Sequence, residues 1–267
     1  MRQFVLGDGP DEKGRVVLRG GDYRYLARVR RLAPGECFPA LLPGGEKVSV
    51  RVCSVDGSAL VGEVFADPGA GFAQEARSGP VLPPIVLFQA VPKGDKMDLI
   101  VRQAAEGALA EIVPFESDFS DVKTGGNVGN RFSRWERIIR EARQQSGSGT
   151  ATAIRRPVTR DGLFDRWEQI RLERPDAIGL LFHHLPMANA GFGKTGLHGY
   201  LSGAPGAVVL AVGPEGGFSP AEVERFLGAG FRPFTVGGTI LRTETAALYA
   251  QAAVRILLLE RDSWKTT

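Results

Sequence analysis

Two hydrophobic periods divide the chain. Up to about residue 70, short apolar runs alternate with turn residues. The runs are Val16-Val17-Leu18, Lys47-Val48-Ser49-Val50-Arg51-Val52 and Leu60-Val61-Gly62-Glu63-Val64; the turns are Pro34-Gly35, Pro43-Gly44-Gly45 and Asp56-Gly57. Val48, Val50 and Val52 keep period two, so this part reads as the short strands of a small β-barrel. One helical segment, near residues 22 to 33, interrupts it. Residues 66 to 84 are rich in Gly, Ala and Pro without periodicity and read as a linker.

Beyond Pro84 the pattern changes. Residues 85 to 91 read as a strand buried on both faces. Asp95 is placed to cap a helix in which Met97, Ile100, Val101, Ala104, Ala105 and Ala108 share a face. Further strands are predicted at 110 to 115, 178 to 182, 207 to 212 and 231 to 236. Helices are predicted at 133 to 146, 219 to 229 and 244 to 260, and loops at 147 to 160 and 185 to 203. Strands alternating with helices predict an α/β domain with a mostly parallel sheet covered on both faces. The division is residues 1–72 and 73–267.

Three predicted strands end in loops that carry chemistry. Leu210-Ala211-Val212 stops at Gly213-Pro214-Glu215-Gly216-Gly217-Phe218. A helix start follows, with Ser219 as N-cap, Pro220 in the first turn and Glu222 completing a capping box. Phe234-Thr235-Val236 runs into Gly237-Gly238-Thr239-Ile240-Leu241-Arg242-Thr243-Glu244, with Thr243 read as the N-cap of the last helix. The strand ending at Phe182 leads into His183. Ligands of open α/β sheets bind at such carboxyl ends. A phosphate loop is a poor fit to the first of these loops, since residues 213–218 hold neither Gly-Lys-Ser/Thr nor Gly-x-Gly-x-x-Gly and Glu215 would repel phosphate. A neutral or cationic polar ligand held by backbone groups fits better, and a capped βα turn without a ligand is the plain alternative.

Charge refines this picture. The 267 residues are 43% hydrophobic and 24% charged with a net charge of +3, and the pI is near 9.0. The basic residues gather in places. Arg131, Arg134, Arg137, Arg140 and Arg143 recur every three residues, each step ~60° short of a helical turn. Trp135, Ile138, Ile139 and Ala142 take the apolar face, so the last four arginines are expected to fan across the exposed side. Arg24, Arg28, Arg30 and Arg31 form a second cluster. Two such clusters suit a phosphate-backbone track; a solvated basic helix is the alternative. Cys37 and Cys53 share no metal-ligand spacing and read as small buried residues in a reducing compartment. The opening MRQFVLGDGP lacks an apolar leader, and no apolar run approaches the ~18 residues of a membrane span. A cytoplasmic protein without metal is expected.

The order of Gly213-Pro214-Glu215-Gly216-Gly217-Phe218-Ser219 and, some twenty residues on, Ile240-Leu241-Arg242-Thr243-Glu244-Thr245-Ala246-Ala247 resembles the bacterial 16S rRNA (uracil-1498-N3)-methyltransferase family. That family is a branch of the SPOUT methyltransferases. Arg28-Val29-Arg30-Arg31-Leu32, Lys96-Met97-Asp98, Pro114-Phe115, Arg134-Trp135 and Gln145-Ser146-Gly147 match in the same order. The resemblance implies an N-terminal PUA-like RNA-binding barrel, an α/β domain with a C-terminal trefoil knot, and a homodimer. A knot is not derivable from pattern, since knotted folds are exceptions.

The implied cofactor is S-adenosylmethionine, and the implied partner is 16S rRNA within the small ribosomal subunit. The implied cofactor contacts are Phe182, His183, Val212, Gly213, Pro214, Glu215, Gly216, Gly217, Val236, Gly237, Ile240, Leu241 and Arg242. Glu215 either touches the cofactor or ties the loops together. The implied RNA contacts are the Arg24–Arg31 cluster, Lys93, Lys96, Arg134, Arg137, Arg140 and Arg143. The expected reaction is methylation of uridine N3, with Arg242 and Glu244 as catalytic candidates. Arg242 would hold the charge of the base, or else pair with Glu215 or Glu244. Family members show Glu-Leu-Gly, Ser-Glu-Arg and Ser-Gly-Arg where this chain has Glu106-Gly107-Ala108, Ser117-Asp118-Phe119 and Ser146-Gly147-Ser148. These departures bear on the exact RNA target. The alternatives are the same fold acting on another RNA position, and a non-catalytic ribosome-assembly factor.

Overall fold

The computed structural model describes residues 4–66, 82–120, 128–183, 196–235 and 239–261. The chain splits into two compact units, Met1–Gly79 with Arg143–Ala151, and Pro80–Ala142 with Thr152–Thr267.

The first unit is a five-stranded sheet. Its strands are β1 (Phe4–Val5), β2 (Arg15–Arg19), β3 (Cys37–Leu41), β4 (Lys47–Val55) and β5 (Ala59–Ala66), in spatial order β1-β3-β4-β5-β2. All pairings are antiparallel except that of β1 with β3. The period-two valines point inward: Val48, Val50 and Val52 are buried with Phe38, Ala40 and Leu60. The helical segment is shorter than the pattern suggests. A helical turn, α1 (Gly20–Tyr23), passes into a π-helical turn, Arg24–Val29, and Arg31 has a left-handed φ of 55°. Tyr23 and Leu26 close the core from this segment. The two cysteines are exposed, which corrects the expectation of burial. Cys37 sits at an outward position beside Arg51, and Cys53 is the extra residue of a bulge between Val52 and Ser54.

The second unit is a six-stranded sheet in which every pairing is parallel. Its strands are β6 (Ile85–Ala90), β7 (Glu111–Phe115), β8 (Ala153–Ile154), β9 (Ile178–Phe182), β10 (Val208–Val212) and β11 (Arg232–Phe234), in order β11-β9-β10-β6-β7-β8. Alternate residues serve opposite faces. Ile85, Leu87, Ile112, Leu180, Val208 and Leu210 pack beneath α2 (Lys96–Glu106), α3 (Val128–Ser146), α5 (Leu197–Leu201) and α7 (Thr243–Glu260). Val86, Phe88, Val113, Leu181 and Val209 meet α4 (Arg160–Glu173) and α6 (Pro220–Gly228). Each large apolar side chain sunk into these layers contributes about 1.5–3 kcal/mol.

Several expectations change here. The helix α4 spans residues to which the sequence pattern assigned no element, and β8 lies in the predicted loop 147 to 160. In α4 only Leu163, Trp167 and Ile170 are buried, while Leu172 is 84% exposed, so its apolar stripe is thin and blurred. Helix α2 ends at Glu106, and Ala108 has a left-handed φ of 57° instead of continuing the helix. Asp95 stands at the N-cap of α2 without a side-chain capping bond. In α3, Arg143 is buried rather than fanned to solvent, and its guanidinium donates to the Pro43 carbonyl at 3.4 Å within the first unit. The small-residue stripe of α7 is also used internally. Ala246, Ala247, Ala250 and Val254 are buried, and α7 packs on α2. The predicted linker, beyond Ala66 and before Leu82, lies outside the described residues.

Candidate active site

Parallel register puts the carboxyl ends of four strands in one row. Gln89 of β6 pairs with Val212 of β10, Val212 with Phe182 of β9, and Phe182 with Phe234 of β11. The loops leaving this row enclose a cavity of about 200 Å³. Phe182, His183, Val212, Gly213, Pro214, Glu215, Gly216, Gly217, Ile240 and Leu241 line it, joined by Phe218, Thr235, Thr239, Thr243 and Ala246. Val236 and Gly237 lie outside the described residues. Arg242 and Glu244 flank the lining residue Thr243 but are not themselves lining residues.

The glycines of the β10–α6 loop have two duties. A Cβ on Gly213 would stand 3.1 Å from the Gly217 carbonyl carbon and 3.2 Å from its Cα. Gly217 has a φ of 72°, and its N–H donates to the Pro214 carbonyl at 3.0 Å. The loop therefore closes tightly upon itself, and its inner wall is main chain. Helix α6 then starts on the expected capping box, in which Ser219 and Glu222 bond each other's backbone N–H. The buried Glu222 carboxylate also accepts from Ser117 Oγ and the Asp118 N–H, both at 3.0 Å. This clamps the start of α6 to the turn after β7.

Two residues outside the predicted pocket contacts, Gln89 and Thr243, hold the cavity together. Thr243 is not the N-cap of α7; Arg242 is, with no side-chain capping bond. The buried Thr243 hydroxyl donates to the Gly213 carbonyl at 2.6 Å and accepts from Gln89 Nε2 at 3.1 Å. Gln89 is fully buried and also donates to the Ala90 carbonyl at 2.9 Å. A glutamine closing the apolar run Ile85-Val86-Leu87-Phe88 was the available signal. Thr243→Val keeps the shape and removes the hydroxyl, leaving the Gly213 carbonyl short of a donor. We expect a stability loss of about 1–3 kcal/mol and weaker cofactor binding, with Thr243→Ser close to the parent. Thermal melts and cofactor titration check this.

Glu215 ties loops together while lining the cavity. Its carboxylate accepts from the Lys93 N–H at 3.1 Å and pairs with the Lys96 ammonium. Burial pushes this carboxyl up, but the Lys96 ammonium and the backbone N–H groups of Glu215 and Lys93 hold it below its ordinary value. The link is therefore complete above the ordinary carboxylate range and is lost only as pH falls through the lowered value. Arg242 is exposed in extended backbone, and no carboxylate pairs with it among the described residues. Glu244 is half-buried in the first turn of α7, and its Oε2 is buried without a hydrogen-bond partner among the described residues.

The basic residues fall in both units. Arg24, Arg28 and Arg31 are exposed and Arg30 is half-buried. On α3, Arg134 is exposed and paired with Asp98, Arg137 is exposed and 3.8 Å from Glu141, and Arg140 is half-buried. Trp135 shares Asp98 through a 3.1 Å bond from Nε1.

Residues 80–255 match the model of the RNA methyltransferase domain. The Ribosomal RNA small subunit methyltransferase E of Aquifex aeolicus is 30% identical over 236 residues, 87% of this chain and 90% of that protein. The protein of that name from Synechocystis is 29% identical over 248 residues, 91% of this chain and 73% of that protein. A solved structure is also similar: a Ribosomal RNA small subunit methyltransferase E from Neisseria gonorrhoeae, bound to S-adenosyl methionine. It is 26% identical with a TM-score of 0.75, over 96% of this chain and 98% of that one. By its matched domain and its relatives along nearly the whole length, this chain belongs to the RNA methyltransferase family that includes the ribosomal RNA small subunit methyltransferases E.

Proposed function

We propose that this chain methylates N3 of a uridine in 16S ribosomal RNA, using S-adenosylmethionine. The observation that carries this reading is the main-chain-walled cavity at the carboxyl ends of β9, β10 and β11. The residues present suit that cofactor. Phe182, Val212, Leu241 and Ala246 offer apolar surface, while the 213–217 backbone and Thr235, Thr239 and Thr243 offer neutral polar groups. Neither a phosphate-loop lysine nor a free guanidinium is among the described lining residues. When bound, S-adenosylmethionine supplies an electrophilic methyl group on a sulfonium sulfur.

The chain's own task is to prepare the nucleophile. Uridine N3 carries a proton and attacks well only as the anion, so the site must stabilise that charge and accept the proton. Arg242 is our candidate for the first role, supported by its exposure next to the lining residue Thr243, at the positive end of α7. Glu244 is our candidate for the second, because its buried Oε2 has acceptor capacity to spare among the described residues.

The remaining parts follow from the resemblance. The first unit serves as a PUA-like RNA-binding module, and its exposed arginines support this. The second carries the SPOUT trefoil knot. The enzyme works on the small ribosomal subunit in the cytoplasm; among the described residues no helix is long and apolar enough to cross a membrane. A homodimer is expected. Its support is the exposed Leu248, Tyr249, Ile256 and Leu259 of α7. Sedimentation at micromolar concentration should give twice the chain mass, and a monomer would refute the dimer. Calorimetric titration with S-adenosylmethionine, followed by methyl transfer to 16S rRNA, tests the main reading. Binding without transfer to any RNA would leave an assembly factor in its place.

A further inference from the structure

The turn after β7 ends in an exposed aromatic ring. Ser120 N–H donates to the Ser117 carbonyl at 3.0 Å, and Ser120 Oγ donates to the Val91 carbonyl at 3.1 Å. The neighbouring Asp118 accepts from Ser219 Oγ at 2.6 Å, while its N–H bonds Glu222. Phe119 sits on this anchored turn and is 49% exposed.

A single exposed apolar side chain ordinarily needs no explanation. Phe119 differs in what it leans on. A Cβ on Gly216 would stand 3.0 Å from Phe119 Cβ and 3.3 Å from its Cγ. Gly216 lines the cofactor cavity, so the cavity loop omits a side chain where the aromatic is seated. Residues adjacent to the ring and to Gly216 hold cations. Lys93 is exposed, Lys96 pairs with Glu215 beside Gly216, and Arg160, 44% exposed, pairs with Asp118 at 2.6 Å. Asp118 and Glu215 are each paired with one of these cations, and the buried Glu222 carboxylate is held by Ser117 Oγ, the Asp118 N–H and the capping box.

We propose that Phe119 is a stacking platform for an unpaired base of the RNA substrate, at the edge of the cofactor cavity. The proposal rests on the RNA methyltransferase reading above. An exposed aromatic face at the edge of the cavity is the chemistry that takes a splayed base, since every base offers a π-face. A fixed ring also loses little freedom on binding.

The test uses the full chain, a 16S rRNA transcript, and the variants Phe119→Ala, Phe119→Leu and Phe119→Trp. Phe119→Ala and Phe119→Leu should raise KM for RNA by about 5- to 150-fold, the effect of losing one base–aromatic stack. Phe119→Trp should restore it. Melting temperature and S-adenosylmethionine affinity should stay at the parent values in all three. Wild-type transfer with an unchanged KM for Phe119→Ala overturns the platform alone. Rescue by leucine equal to that by tryptophan overturns stacking in favour of plain apolar packing. A change in sedimentation with unchanged RNA affinity assigns the ring to a second copy and overturns the proposal. A wild-type chain that transfers no methyl to the transcript overturns the underlying reading, and the platform with it.

Discussion

Arg242→Ala is expected to lose methyl transfer by about 10²–10³-fold, the cost of removing one group that stabilises developing charge. S-adenosylmethionine affinity and melting temperature should barely change. The reason lies in where the side chain stands. Arg242 precedes α7 as its N-cap, makes no side-chain cap, is exposed, and has no carboxylate partner among the described residues. The intramolecular pairs that the sequence left open have other arrangements: Glu215 is engaged by Lys96 and the Lys93 N–H, and Glu244 forms no pair with Arg242 among the described residues. The Arg242 backbone still serves the fold, because its carbonyl accepts from the Ala246 N–H at 2.7 Å, and alanine preserves that bond. Arg242→Lys should recover only part of the rate, since a point charge lacks the planar fork. Single-turnover transfer, cofactor titration and a thermal melt on the same variants check this. Joint loss of stability and cofactor affinity would assign Arg242 to the scaffold.

Gly217 should show the largest effect on cofactor binding. At a φ of 72° an L side chain is strained by roughly 1–2 kcal/mol, and a β-branched one is worse. The strain falls on a tightly closed loop, because a Cβ on Gly213 would already stand 3.1 Å from the Gly217 carbonyl carbon. The order of cofactor affinity should be glycine, then asparagine, then alanine, with valine weakest by tenfold or more. Asparagine ranks high because it tolerates left-handed backbone. This separates backbone conformation from simple filling of the cavity, which would place asparagine below alanine. Titration of the four proteins with S-adenosylmethionine, with melting temperatures alongside, gives the order.

The framework was legible wherever one local rule dominated. The short, largely apolar runs at 85–90, 178–182 and 208–212 read as doubly covered parallel strands, and they are. Ser219, Pro220 and Glu222 announce the start of α6, and the capping box is formed. What escaped depends on partners distant in sequence. Thr243 looks like an N-cap, yet its hydroxyl goes to a carbonyl thirty residues back. Glu215 reads equally well as a ligand contact or a loop tie, and only the fold brings Lys96 to it. Arg143 keeps the three-residue rhythm of its helix but is buried, which a rhythm alone does not reveal. The small residues of α7 suggest close helix approach, and they provide it, against α2 within the same chain.

Mapping the site of methyl transfer decides whether this chain is a uridine-N3 methyltransferase of 16S rRNA. Small ribosomal subunits lacking the modification would be incubated with this protein and isotopically labelled S-adenosylmethionine. The RNA would then be digested and the labelled nucleoside identified by mass spectrometry. The account predicts one labelled nucleoside in 16S rRNA, 3-methyluridine, and loss of that label with Arg242→Ala at saturating cofactor. Label on another base, on another uridine atom, or none despite measured cofactor binding would contradict it.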